Sequence, residues 1–198
     1  MKIFSSKFGG VTLILADTSN KSNIHKVLQM AQSITQFIYR YDKVVAIMLQ
    51  FTNGRQLLRP GITRFATNFI ALESIIKHKS SLRNMWESEQ WKCSKYGKMN
   101  DDHAIQVRDI ILQLTEEGRK FWSKANDVIK VQEPLVKVLR LVDGDQKPTM
   151  GFLYEAMERA KLAIKKNCRY WDRYWQIIDH RWDFQFHHNL HVAGKFYF

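Results

Sequence analysis

Apolar side chains along this chain recur mainly at steps of three and four residues, the period of a helix with one buried face. Ile24, Val27, Leu28, Ala31, Ile34, Ile38, Val45, Met48 and Leu49 keep to one stripe. That stripe predicts a single long helix, capped at Ser22 or Asn23 and closed by Asn53-Gly54, a pair that tolerates the left-handed conformation. Pro60-Gly61 marks the next break. Thr63 then stands where an N-cap belongs, with Ile62 as a hydrophobic staple, and Phe65, Phe69, Leu72 and Ile76 share a face. Lys77, His78 and Lys79 suit the negative end of that helix. Ser80-Ser81 caps a shorter one carrying Leu82, Met85, Trp86 and Glu89.

Further on, Lys92 to Asn100 reads as a basic loop, and Asp101-Asp102 starts a helix through Ile105, Ile111 and Leu114. Another follows Gly118, with Phe121, Trp122, Ala125, Val128 and Ile129 inward. Pro134 opens the next in its first turn, where the missing N–H costs nothing; Leu135, Val138, Leu139 and Val142 form its stripe. From Pro148, apolar positions run from Leu153 through Met157, Ala160, Ile164, Cys168, Trp171, Trp175 and Ile178 to Trp182, as one helix bent near Asn167. Only the start departs from this pattern. Residues 1 to 10 read as irregular, broken at Gly9-Gly10, and the short apolar run Val11 to Ala16 fits a strand or a first helical turn. The expected fold is mainly α, with at most one short strand near the N-terminus. Residues 1–22 form an irregular lead-in and 23–198 a multi-helix domain, with a break at 53–62, a loop at 92–100 and a turn at 143–148.

Composition agrees with long helices: three prolines and nine glycines leave few breakpoints, and 45% apolar residues suffice for a core. Charge adds a function class. An excess of 31 Lys and Arg over 19 Asp and Glu leaves a net charge of +12, which suits nucleic acid first and an acidic membrane surface second. A merely solubilising surface has the same composition. Cys93 and Cys168 have no CxxC spacing, which argues for a reducing compartment rather than a disulfide framework. The Val11–Ala16 run is too short for a signal sequence or a membrane span, so the expectation is an intracellular chain without a membrane partner.

Enzymatic signatures are missing: there is no P-loop, dinucleotide fingerprint or G-x-S-x-G, and no carboxylate pair in a setting for acid–base work. Asp143-Gly144-Asp145 is explained by a helix-ending turn as well as by a hard cation. Cys168, His187 and His191 offer a possible zinc set, although their spacing matches no standard pattern and surface histidines explain them better. The stronger candidate is RAKLAIKKNCRYWDRYW. On a helix, Arg159, Lys166, Arg169 and Arg173 line one face with Lys161 and Lys165 beside it, a row able to neutralise phosphates, while Tyr170 or Tyr174 can stack on exposed bases. The plainer alternative makes Trp171 and Trp175 core residues and the charges a solvated face.

Four stretches carry a family resemblance: LLRPGITRFATNFIAL, LRNMWESEQW, EPLVKVLRLVDGDQKPTMGFLYEAMERAKLAI and IIDHRWDFQFHHNLHVAGKFYF. Together they resemble the central part of plant hAT-superfamily (hobo–Activator type) transposases, from about Val11 to Phe198. Thr63-Arg64-Phe65, Arg181-Trp182 and His191 to Gly194 are the most characteristic features. The resemblance implies a helical insertion of an RNase H-like fold, with Val11 onward a stump of the catalytic domain. In that family three metal-binding carboxylates cut DNA, two ahead of the part resembling Val11 and the third beyond the part resembling Phe198. No catalytic residue carries over to a position here, and Lys7-Phe8-Gly9-Gly10 replaces a Cys/His-containing segment. The implied protein is catalytically inert and needs no cofactor. It binds nucleic acid, DNA before RNA, through Arg64 and the Arg159–Arg173 row, or associates with itself or related transposase-like chains. Its place is the nucleus, by resemblance, or the cytoplasm. A structural or protein-interaction fragment without a nucleic-acid ligand is the alternative.

Overall fold

The structure is a computed structural model that describes residues 2–19, 21–59, 65–143 and 149–186, with side chains for 11–19, 21–59, 67–142, 149 and 151–182. Ten helices and no strand occur among the described residues. They are α1 (Lys2–Ser19), α2 (Ser22–Tyr39), α3 (Asp42–Phe51), α4 (Phe65–Lys77) and α5 (Lys79–Glu87). The chain continues through α6 (Glu89–Cys93), α7 (Asp102–Leu112), α8 (Glu116–Asp143), α9 (Met150–Asn167) and α10 (Trp171–Phe186). The mainly α expectation holds. The irregular lead-in does not: residues 2–19 form one helix, and Gly9-Gly10 lies within it. Periodicity could not decide between strand and helix for the Val11–Ala16 run, and the helix buries Val11, Ile14 and Leu15 completely.

The chain divides into two compact units, one of Asn23–Thr63 and Thr67–Asn126, the other of Met1–Ser22, Arg64–Ala66 and Asp127–Phe198. In the first, the stripe expected to make one long helix makes two. Tyr41 is extended (φ −133°, ψ 117°) and starts α3 afresh; Met48 is buried as expected, but Val44 takes the place of Val45, and Leu49 is half-buried. Aromatic packing accompanies the interruption: the Tyr41 ring lies 6.1 Å edge-on from Phe37 and 5.0 Å from Tyr96. Phe37 also meets Trp86, Trp91 and His103, which makes it the centre of this core. Asn53 (φ 53°) and Gly54 (φ 74°) take the left-handed conformation after α3. Asp101 caps α7 by accepting from the Ala104 N–H at 3.0 Å. That helix stops earlier than its apolar pattern suggests: Gln113 turns left-handed and Leu114 is exposed. Glu89, expected on the face of α5, instead begins α6, which is capped by the Ser88 side chain. Pro60 to Arg64, including the expected Thr63 cap and its Ile62 staple, lie outside the described residues.

The second unit contains α1, the later part of α8, α9 and α10. Pro134 does not open a helix; it sits inside α8. Its missing N–H and ring cost an interior helix about 3 kcal/mol, and burial of Val131, Leu135, Val138 and Val142 along one stripe offsets that. Two polar links hold α1 here. The buried Gln132 Nε2 donates to Thr18 Oγ1 at 2.7 Å, and Arg181 grips Asp17 through two hydrogen bonds of 2.5 and 3.2 Å. The expected bend near Asn167 is a full interruption: Cys168 is extended, and the chain turns through Arg169 and Tyr170 before α10.

Candidate nucleic-acid interface

From Arg159 to Arg173 the sequence has six basic residues and one acidic residue, Asp172. Cys168 breaks the helix there (φ −125°, ψ 127°), so the row does not lie along one continuous helical face. The break sorts the six side chains into distinct environments. Lys161 is turned inward: its side chain is only 12% exposed, and its ammonium lies 2.7 Å from Asp179 and 3.5 Å from Glu158. It also stands 4.6 Å from the centre of the Trp175 ring, whose Nε1 donates to the Lys161 carbonyl at 3.0 Å. Burial alone pulls the Lys161 pKa down, but the hydrogen bond and charge of Asp179, joined by Glu158, hold it above the ordinary lysine value. This lysine joins α9 to α10.

Arg159 is exposed and pairs along its own helix with Glu155 at 2.6 Å. Lys165 sits 4.7 Å from the Trp171 ring and 5.5 Å from Trp175. With Lys166 it occupies the last turn of α9, where positive charge offsets the negative end of the helix. Lys166, Arg169 and Arg173 are exposed and have no carboxylate partner among the described residues. Between them the Tyr170 ring is 56% exposed, with the guanidinium groups of Arg169 and Arg173 at 5.7 and 5.4 Å from its centre. Tyr174 is half-buried beneath Lys21 at 5.4 Å, and burial raises its pKa. Trp171 and Trp175 pair edge-to-face at 4.6 Å and are half-buried, short of the full core role expected for them. The site is therefore a turn with three cations that lack a carboxylate partner among the described residues, around one exposed ring.

No protein-family model, curated protein or solved structure matches this chain. What the turn can bind follows from its own chemistry.

The remaining candidates are more scattered. Arg64, His187 and His191 lie outside the described residues, as do Gly144 and Asp145. Cys168 is half-buried, and no group of three or more His, Cys, Asp or Glu side chains placed to hold a metal occurs among the described residues. No helix among them is long and apolar enough to cross a membrane. A hollow of about 400 Å3 between Lys43, Ala46 and Ile47 of α3 and the Ser94–Tyr96 turn has no counterpart among the expected sites. The basic run KCSKYGKMN was its signal. An apolar groove of about 380 Å3 between α8 and α9, where Phe152 is 61% exposed, is likewise unexpected.

Proposed function

We propose that this chain is a catalytically inactive protein of hAT-transposase type that binds nucleic acid without sequence specificity, DNA before RNA, or associates with related transposase-like chains. The observation that carries the binding is the turn between α9 and α10: Lys166, Arg169 and Arg173 stand exposed without carboxylate partners among the described residues, around the ring of Tyr170. Three cations without local partners attract phosphates and release their counterions, which gives affinity without reading bases. The transposase descent rests on the four resembling stretches, and the inactivity is proposed of these 198 residues alone, among which no position matches the family's metal-binding carboxylates.

Fluorescence-anisotropy titration of duplex DNA across a salt series tests the binding. Affinity should fall steeply with salt, and replacing Arg169 and Arg173 by alanine should weaken binding and flatten that dependence. Absence of binding at low salt refutes it. For the inactivity, supercoiled plasmid incubated with the protein and Mg2+ or Mn2+ should stay intact; metal-dependent nicking refutes that part. A second reading, a protein-interaction fragment, is favoured by the apolar groove along Val138, Leu141, Phe152 and Ala156. Contact of that kind survives high salt, which phosphate binding does not.

A further inference from the structure

We propose that the turn between α9 and α10 prefers an unpaired nucleic-acid strand to a duplex, with Tyr170 as the platform on which a base stacks. The inference rests on the nucleic-acid reading and adds the substrate class. Its basis is the exposure of one ring among several aromatic neighbours. Trp171 and Trp175 are committed to each other and to Lys165, and Trp175 also to Lys161. Tyr174 is half-buried under Lys21. Tyr170 alone of these rings is mostly in water.

Its surroundings suit a base. The guanidinium groups of Arg169 and Arg173, at 5.7 and 5.4 Å from the ring centre, are near the outer reach of a cation–π contact. They flank the ring loosely, so a base sliding over it displaces a weak contact and gains a close one. Each guanidinium is also positioned to meet a phosphate on either side of that base. Asp172, in the first turn of α10, is the opposing charge, and the helix dipole accounts for its place.

A duplex and a single strand offer different things to such a turn. Both present phosphates to Lys166, Arg169 and Arg173. The duplex keeps its base faces stacked inside, and the ring gains nothing from it. An unpaired strand exposes those faces, and stacking on an aromatic side chain tolerates any base.

The test uses the full chain with three fluorescein-labelled probes of equal length: a mixed-sequence single strand, its duplex, and an abasic single strand that keeps the phosphates alone. The wild type should bind the single strand about tenfold more tightly than either other probe. Tyr170→Leu, which keeps apolar bulk but no ring face, should lose about tenfold on the single strand and change duplex affinity by about twofold or less. Tyr170→Phe should retain the preference. Equal binding of single strand and abasic strand, unmoved by Tyr170→Leu, overturns the stacking platform and leaves the nucleic-acid reading standing. Failure to bind any probe at low salt overturns both.

Discussion

At the scale of single residues, Lys161 and Arg173 are cations of one basic stretch in the sequence. Their partners separate them: Lys161 meets Asp179 and Glu158, whereas Arg173 has no carboxylate partner among the described residues and flanks the Tyr170 ring. Lys161→Met should therefore destabilise the fold by about 1 kcal/mol, a value kept small because Asp179 remains half-exposed. The same variant should leave nucleic-acid affinity within about twofold, since one inward-facing ammonium makes no phosphate contact. Anisotropy and thermal melting on the same preparation measure both. A pH dependence follows as well. The folded pKa of Lys161 is raised, so its contribution to stability is whole below the unfolded lysine value, about 10.4, and is lost as pH rises through the folded value. Tyr39 and Tyr174, both raised by burial, titrate in the same alkaline window. The difference in melting between wild type and Lys161→Met across that window isolates the lysine, and it should shrink as pH rises.

At the scale of elements, what was legible in the sequence was local chemistry. Asn53-Gly54 closes α3 because both accept a positive φ, Asp101 caps α7 with its own side chain, and the three-and-four periodicity found most helical faces. What was not legible depends on distant packing. Nothing in Tyr39-Arg40-Tyr41-Asp42 announces a break; the Tyr41 ring finds Phe37 and Tyr96, and α3 starts afresh from an extended Tyr41. Pro134 reads as a helix start, yet the buried stripe on both sides carries α8 through it. The candidate site followed the same rule: its residue types and a bend near Asn167 were legible, but the full break at Cys168 that sets Arg169 and Tyr170 in a turn between two helices was not. Two substitutions test the packing. Gly118→Ala raises intrinsic helix propensity by about 1 kcal/mol. A Cβ there, however, runs into the Asp109 carbonyl oxygen of α7, so the variant should lose about 1–3 kcal/mol in chemical denaturation. A gain instead would mean that α7 and α8 yield at this crossing. Pro134→Ala restores a donor to α8 and should raise stability by about 1–2 kcal/mol, less than the full helix penalty because alanine also frees the unfolded chain.

At the scale of the whole molecule, the question is how much of the +12 charge takes part in binding. Much of the acidic complement is answered locally, along single helices, by pairs such as Lys77–Glu73, Arg83–Glu87, Lys137–Glu133 and Arg159–Glu155. Exposed pairs of this kind contribute little to stability. The surplus cations are free to meet a polyanion, and the salt slope counts those that do. Each phosphate neutralised on duplex DNA contributes about 0.9 to the slope of log affinity against log salt. If Lys166, Arg169 and Arg173 make the interface, the slope should be about 3, and it should fall to about 1 when both arginines become alanine. A slope of about 6 or more, little changed by those substitutions, places the binding on other cations, with Lys43 and Lys95 beside the α3 hollow the first to replace. A slope near zero with binding intact removes phosphate contact altogether, and the groove along α8 and α9 then becomes the surface to mutate, beginning at Phe152.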